Sequence, residues 1–293
     1  MRLGFYPGCC LIGTSKEYNE SVQALAKKFD IEFVTVPDWS CCGANSAQNL
    51  NKELALSLPA RILALAEKAG LEEVVVPCAC CFGRLATTQH ELNENPQMKS
   101  KVAGIIDMDY KGTTKILNVI QMIDKYINGN IEKKVIKKFE HKVACYYGCL
   151  LIRPYKILKF DRQEDPQTID VIMRKLGAEP IDWAFKTECC GAGFSVPITE
   201  VVAKLSATIV DDAVSRGAEA IIVACPLCLS NLDLRRPGIN KYLKHKTNIP
   251  ILYITEAIGQ ATGIDFKELG LHKHYVPVNL KSCSNCQLVT TNN

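Results

Sequence analysis

Several features that assign proteins to common classes are missing from this chain of 293 residues. No stretch reaches the ~18 apolar residues of a membrane-spanning helix, so we expect no direct membrane span. Basic residues number 35 against 31 acidic ones, with no long run of either sign, which argues against nucleic-acid binding. The sequence also contains no GxGxxG or P-loop pattern, so flavin or nicotinamide would have to sit on another subunit.

A targeting signal is also missing from the beginning of the sequence. The segment MRLGFYPGCC has one basic residue and no apolar run, which predicts that there is no secretory leader. Hydrophobic residues make up 47% of the chain and charged residues 23%, values typical of folded globular proteins. We therefore expect a folded cytoplasmic protein.

Cysteine, by contrast, is abundant, with 15 residues. The cytoplasmic thiol pool keeps structural disulfides reduced, so metal binding explains so many cysteines better. The C-x2-C-x2-C-x3-C-P run of bacterial ferredoxins is absent. The cysteine pattern therefore predicts metal sites, without indicating ordinary ferredoxin clusters.

Ten of the cysteines form a repeat of two halves, in which a single cysteine is followed by CCG and then by CxxC. Order and approximate spacing are the same in both halves, and a repeat of this length is a whole domain, because solenoid units span about 20–50 residues. The sequence predicts a first domain with linker helices over 1–140 and a second domain with a tail over 141–293. The matched residues are Cys9, Cys41, Cys42, Cys78 and Cys81 in the first half, and Cys149, Cys189, Cys190, Cys225 and Cys228 in the second.

Hydrophobic periodicity predicts alternating strands and helices in both halves. Strands are predicted at RLGFYPG, IEFVTVPD, EEVVVP, HKVACYY and EAIIVAC. Helices are predicted at EYNESVQALAKKF, LNKELALSLPARILALAEKAG (ended by Gly70), IDVIMRKLG and ITEVVAKLSATIVDDAVSRG, and the segment 100–139 is predicted to be helices that join the halves. The fold class is α/β, with two pseudo-repeated domains of mainly parallel sheets flanked by helices.

Each cysteine group follows a predicted strand, at the sheet edge where ligands of α/β proteins bind. A structural zinc site takes four ligands, whereas each half has five matched thiols. Adjacent cysteines on a regular strand point to opposite faces and cannot easily bind the same metal ion. The CCG motif therefore suits either a tight turn, which Gly43 and Gly191 would permit, or a cluster of several irons. Each CxxC pair is predicted to open a helix, whose dipole favours thiolates.

Other arrangements stay open at this point. One cluster with one zinc ion fits the same thiols, because ligand softness does not separate zinc from iron. A lone CxxC suggests a thioredoxin-like redox pair, although the duplicated CCG argues against it. A zinc-stabilised interaction protein is a further, non-redox alternative.

Five cysteines have no counterpart in the other half. Cys10, Cys80 and Cys145 are interpreted as small buried residues or as neighbours of the ligands. Cys283 and Cys286, in the segment SCSNC, are left unassigned.

The patterns C-x31-CCG-x34-CxxC and C-x39-CCG-x33-CxxC resemble those of the CCG-domain family. Within that family, VACYYGCLLIRP is similar to the ACxYGCHxLRP segment of the B-type subunits of heterodisulfide reductases, with Leu150 and Leu151 where a histidine is common. The resemblance implies two noncubane [4Fe–4S] clusters, each held by the five matched cysteines of one half. It also implies a ferredoxin-type small subunit and a flavin-containing large subunit as partners.

The activity that the resemblance implies is reduction of the mixed disulfide of coenzyme M and coenzyme B. Each cluster would deliver one electron and capture one sulfur. Because this disulfide carries sulfonate, carboxylate and phosphate groups, Arg84 and Arg153 are candidate substrate-binding residues. None of the histidines repeats between the halves, and we interpret them as surface or core residues. The alternative is an electron-relay subunit of a lactate, glycolate or quinone-linked oxidoreductase.

Overall fold

A computed structural model describes residues 1–44 and 46–280 of the chain. Within them, two parallel four-stranded sheets have equivalent strand orders, β2-β1-β3-β4 and β6-β5-β7-β8. The strands are β1 Arg2–Phe5, β2 Glu32–Thr35, β3 Glu73–Val76, β4 Lys115–Asn118, β5 Lys142–Tyr146, β6 Glu179–Pro180, β7 Ala220–Val223 and β8 Ile251–Tyr253. The predicted α/β repeat with parallel sheets is confirmed.

The central strands of each sheet are nearly free of solvent-exposed side chains. In β7 every residue is buried, and in β3 only Glu73 is not fully buried. Such continuous apolar strands are expected in parallel sheets, where helices cover both faces. The pairing of Phe5 with both Thr35 and Val75 places β1 in the middle of the first sheet.

Helices connect the strands and cover the sheets. They are α1 Gly8–Ile12, α2 Lys16–Lys28, α3 Ser46–Leu50, α4 Lys52–Lys68, α5 Ala79–Glu94, α6 Pro96–Ile106, α7 Val119–Tyr126, α8 Ile131–Lys134, α9 Tyr155–Leu158, α10 Thr168–Lys175, α11 Thr199–Ser215, α12 Pro226–Leu229, α13 Arg236–Ile239 and α14 Ile254–Ala261. The long predicted helices correspond to α2, α4, α10 and α11. Gly70, at φ +68°, follows the end of α4 as expected for a helix terminator.

The prediction for segment 100–139 is wrong in one part. Instead of helices alone, the segment contains β4, which pairs in parallel with β3 and completes the first sheet. The strand passes directly into α7 without a loop, because Asn118 and Gln121 form a capping box that starts the helix. A four-residue strand immediately before an amphipathic helix is too short to show a periodicity of its own.

The two halves share one hydrophobic core and meet along a boundary that we call the seam, where α2 of the first half packs against α14 of the second and α1 against α12. The rings of Tyr18 and Tyr253 stack there, and the Ser21 and Thr255 hydroxyls lie 2.8 Å apart. The sequence boundary between the predicted domains falls just before β5, which begins the second sheet. The domain limits themselves remain a prediction.

Candidate functional site

All ten matched cysteines lie beyond the carboxyl ends of strands, as the sequence predicts. In the first half they follow β1, β2 and β3, and in the second half β5, β6 and β7. We call them the first thiol set (Cys9, Cys41, Cys42, Cys78, Cys81) and the second thiol set (Cys149, Cys189, Cys190, Cys225, Cys228). In both sheets the strand that carries the single cysteine lies between the other two, so each set converges on one sheet edge.

The sulfurs within each set are close to one another. The Cys42 and Cys81 Sγ atoms are 3.3 Å apart, and the equivalent atoms of Cys190 and Cys228 are 3.8 Å apart. The Cys149 thiol donates a hydrogen bond to Cys189, which lowers the pKa of Cys189 to about 6, aided by the backbone N–H groups of Gly191 and Ala192. Hydrogen bonds to neighbouring thiols and burial instead raise the pKa values of Cys81 and Cys228. The thiolate, which is the form that binds metals, is therefore favoured at Cys189 and not throughout the two sets.

A glycine in each half allows the backbone to approach these sulfurs. Gly8 and Gly148 have φ values of +63° and +68°. A Cβ atom added to Gly8 would lie 3.1 Å from Cys81 Sγ, and one added to Gly148 would lie 3.0 Å from Cys228 Sγ. A side chain at either position would crowd a thiol as well as strain the backbone.

The CCG glycines and the second CxxC helix supply N–H donors to sulfur. Gly43 N–H donates to Cys41 Sγ at 3.4 Å, and Gly191 N–H donates to Cys189 Sγ at 3.3 Å. Cys78 is the N-cap of α5, as the sequence predicts, and Cys225 is the N-cap of α12. The N–H groups of Leu227 and Cys228 help to stabilise the Cys225 thiolate. The Cys78 side chain makes no capping hydrogen bond, and although Cys10 lowers the pKa of Cys78, the hydrogen bond to Cys81 and burial raise it overall.

The two thiol sets face each other across the seam. Helix α1 packs against α12, and the Ala79 N–H, in the first half, lies near the Cys225 thiol in the second. Together with a hydrogen bond from the Cys228 thiol, which is the largest effect, and the N–H groups of Cys228 and Leu227, it lowers the pKa of Cys225 to about 7. The reverse contact cannot form, because Pro226 occupies the position equivalent to Ala79 and has no N–H.

The sets are buried on one side and open on the other. Cys42, Cys78, Cys81, Cys190, Cys225 and Cys228 are buried. Cys9, Cys41 and Cys189 are exposed, and Cys149 is half-buried. Each thiol set therefore has a protected inner part and an outer part that a substrate or a partner protein can reach.

The donor chemistry fits a multi-iron cluster. In residues 1–44 and 46–280, no group of three or more His, Cys, Asp or Glu side chains is arranged to hold a metal ion. Each half has five thiols, two of which lie within 4 Å of each other, and a glycine that leaves space beside the sulfurs. Soft thiolates of this kind are the ligands of iron–sulfur clusters.

The cysteine-rich domain family named CCG matches residues 3–86 and 143–233. The chain belongs to this family. Each match contains one complete thiol set, so the duplicated unit found in the sequence is the family's domain.

This CCG protein resembles components of reductase complexes along nearly its whole length. It is 31% identical over 276 residues to the 8-methylmenaquinol:fumarate reductase membrane anchor subunit of Wolinella succinogenes, covering 93% of this chain and 96% of that protein. It is 28% identical over 282 residues to the B-type subunit of the ferredoxin/F420H2-dependent CoB-CoM heterodisulfide reductase of Methanosarcina acetivorans, covering 94% of each. Family and relatives support an oxidoreductase subunit with an iron–sulfur electron-transfer role.

A solved structure confirms the fold. A hypothetical protein from Helicobacter pylori superposes on the CCG protein with a TM-score of 0.78 at 14% identity, over 95% of this chain and 52% of that one. The chain therefore spans about half the length of that structure. Across the described ranges 1–44 and 46–280, none of the helices of the CCG protein has the length and apolar character needed to cross a bilayer.

The two arginines proposed for substrate binding lie near the thiols but have different environments. Arg84 is half-buried and donates to Thr87 Oγ1 at 3.3 Å. Burial raises the pKa of Cys80, and the nearby charge of Arg84 offsets part of that rise. Arg153 is exposed and lies 3.9 Å from Glu164. The Leu150 carbonyl, one residue after Cys149, lies beside Gly83 of α5, next to Arg84 in the chain. The role of both arginines remains a prediction.

The unmatched cysteines differ in position. Cys145 is fully buried in β5, and Cys10 and Cys80 lie at the seam, where the neighbouring Cys225 contributes to raising the pKa of both to about 12. For Cys10 the largest effect is its hydrogen bond with Cys78, and for Cys80 it is burial. Cys283 and Cys286 lie outside the described residues.

One contact to the thiols is not predicted from the sequence. Asn231, the third residue after the second CxxC, donates from Nδ2 to Cys190 Sγ. The only hint in the sequence comes from aligning the two halves, because Asn231 and Arg84 are each the third residue after their CxxC pair.

Proposed function

We propose that the first thiol set holds one noncubane [4Fe–4S] cluster and the second thiol set holds another. When bound, these groups would supply one-electron redox chemistry and Lewis-acidic iron. The observation that carries the proposal is that both halves present five thiols at equivalent places in the fold, and that the two sets face each other across the seam.

The chain's own residues would hold and protect these groups. The backbone N–H groups after Cys41 and Cys189 stabilise thiolates at the open side of each set. Tyr18 and Tyr253 are fully buried and exclude water from the inner side, behind Cys225. The Tyr18 hydroxyl donates to Ala224 O at 3.0 Å and so fixes the loop that carries Cys225.

We further propose that the chain is the catalytic iron–sulfur subunit of a heterodisulfide reductase, acting on the mixed disulfide of coenzyme M and coenzyme B. A two-electron acceptor with two separable sulfur atoms suits two thiol sets that face each other. The relatives named as components of CoB-CoM heterodisulfide reductases and the YYGCLLIRP segment support this substrate. A ferredoxin-type small subunit, a flavin-containing large subunit and a cytoplasmic location belong to the same proposal.

A second candidate is an electron-relay subunit that exchanges electrons with a quinone-linked partner. The relative from Wolinella succinogenes, at 31% identity over 93% of the chain, favours it. The leucines at positions 150 and 151, where the heterodisulfide reductases often have a histidine, are compatible with a different substrate. In this case the exposed side of each thiol set is where the redox partner docks.

The deciding experiment uses the native complex, purified without oxygen and analysed first for iron, acid-labile sulfide and zinc. Electron paramagnetic resonance of the oxidised complex is then recorded with and without coenzyme M. A new thiol-dependent signal supports disulfide reduction. Full iron and sulfide without such a signal, and without heterodisulfide-dependent oxidation of a reduced dye, refutes it and leaves the relay function; zinc without iron or sulfide refutes the cluster proposal.

A further inference from the structure

Asn231 is a buried amide directed at a sulfur of the second thiol set. Its side chain lies in the π-helical turn Ser230–Leu234 that follows the second CxxC, and it is 1% exposed. The Nδ2 atom lies 3.2 Å from Cys190 O and 3.4 Å from Cys190 Sγ. The amide therefore touches both the backbone and the thiol of one candidate ligand.

The orientation of this amide follows from its partners. Cys190 O is a carbonyl oxygen and can only accept, so the NH2 group of Asn231 must face it. The Oδ1 atom then lies 2.9 Å from Ser195 Oγ, which can donate to it. With one N–H on Cys190 O, the second N–H of the same group points towards the Cys190 sulfur.

Neighbouring groups hold this arrangement in place. Arg235 donates to Ser195 O at 2.5 Å, and Ser206 Oγ donates to Cys190 O at 3.4 Å. Every partner of Asn231 is thus itself fixed to another element of the second half. Supporting contacts of this kind are what makes a side chain near a metal site effective in tuning it.

The first half lacks the same arrangement. Arg84 occupies the position of Asn231 and donates to Thr87, on its own helix. Ala47 occupies the position of Ser195, six residues after the first cysteine of CCG, and has no hydroxyl. The two thiol sets are therefore alike in their cysteines and different in the groups behind them.

We infer that Asn231 is a positioning residue that raises the reduction potential of the second-half cluster by donating an N–H···S hydrogen bond to Cys190. Reduction adds negative charge to a cluster and its thiolates, and a hydrogen bond to sulfur stabilises that charge. This inference rests on the proposed function, in that it requires a cluster on the second thiol set. It predicts that the two clusters differ in the ease with which they accept an electron.

The test is a redox titration followed by electron paramagnetic resonance, with iron and sulfide measured on every sample. Three variants of the native complex are compared with the wild type: Asn231→Leu, which removes the donor at similar size, Asn231→Asp, which replaces it with an acceptor, and Ser230→Ala. The last is the matched control, on the same turn. The signal of the second cluster is assigned with Cys42→Ser protein, in which the first is expected to be lost.

We expect the midpoint potential of the second cluster to shift downwards in Asn231→Leu and further in Asn231→Asp, with the first cluster unchanged and Ser230→Ala like the wild type. Unchanged potentials in both Asn231 variants at full iron content would overturn the inference. If both variants lose iron from the second half, Asn231→Ser decides: loss of iron there too would show that Asn231 is only a folding residue. Wild-type protein without iron and sulfide would refute the cluster proposal instead, so the two failures are distinguishable.

Discussion

The ring of Tyr18 lies on the ring of Tyr253 with centroids 3.8 Å apart and planes 7° from parallel. One tyrosine comes from each half of the chain, and both are fully buried. The Tyr18 hydroxyl reaches Ala224 O, one residue before the candidate ligand Cys225. The packing that joins the halves and the placement of a thiol therefore depend on the same side chain.

This relationship predicts two different results at position 18. Tyr18→Ala removes the stacked ring and should lower the free energy of unfolding by about 3–5 kcal/mol, as for other buried aromatic truncations. Tyr18→Phe keeps the ring and loses one hydrogen bond, so a loss of about 1 kcal/mol is expected. Denaturant unfolding under anaerobic conditions measures both, with the exposed Tyr275→Ala as a control that should change little. Equal losses in the two Tyr18 variants would contradict the role of the stack.

The glycines beside the thiols permit a paired comparison. Gly8→Ala and Gly148→Ala place a Cβ against Cys81 and Cys228, whereas Gly70→Ala and Gly217→Ala have the same left-handed backbone and nothing within 4 Å of the new Cβ. All four should suffer backbone strain of about 1–2 kcal/mol.

Only the variants beside a thiol should lose iron, each from its own half, as measured by iron content and the spectrum of the remaining cluster. If the variants at positions 70 and 217 lose as much iron, strain rather than crowding is responsible.

Single ligand substitutions should act on one half at a time. Cys42→Ser should remove or alter the first cluster and leave the second, and Cys190→Ser should do the reverse, because the two sets are built on separate sheets. Cys145→Ala is the matched control, since this cysteine is buried in β5 outside both sets. Full iron and full activity in Cys42→Ser protein would show that the ligand assignment is wrong.

A pH dependence is expected from His274 and Glu256, whose Nε2 and Oε1 atoms lie 2.8 Å apart. Burial alone would lower the pKa of His274, but Glu256, with smaller contributions from Asp233 and Glu17, raises it above 6.5. Burial also raises the pKa of Glu256. Both groups hold protons more tightly in the folded state, so their stabilisation is complete at low pH and is lost as the pH rises through the folded pKa values.

The measurement is the free energy of unfolding between about pH 6 and pH 9. The free energy of unfolding should fall by at most ~1.4 kcal/mol per pH unit for each extra proton that the folded state holds. In Glu256→Gln this decrease in the free energy of unfolding should disappear, because His274 then lacks its main carboxylate partner. The charge interaction between Lys273 and Glu17 nearby is unchanged in this variant. The exposed His272→Gln should behave like the wild type; a wild-type stability that rises with pH in this window would refute the assignment.

The alternation of strands and helices could be predicted because each long element has its own hydrophobic period, and the cysteine positions could be predicted because both halves repeat them. The short strand β4 could not, since the apolar pair Ile116 and Leu117 just before α7 is too short to show a strand pattern. Contacts such as Tyr18 with Tyr253, or Ala79 with Cys225, join residues far apart in the chain and leave no local signal. They depend on how the two halves pack, which neither half encodes alone.

Pro226 makes the two halves of the protein unequal where they meet. The Ala79 amide reaches Cys225, whereas the proline at the equivalent position of the second half has no N–H to offer the first thiol set. The pseudo-twofold symmetry of the repeat is therefore broken in the backbone as well as in the side chains, and the two CxxC groups are not interchangeable.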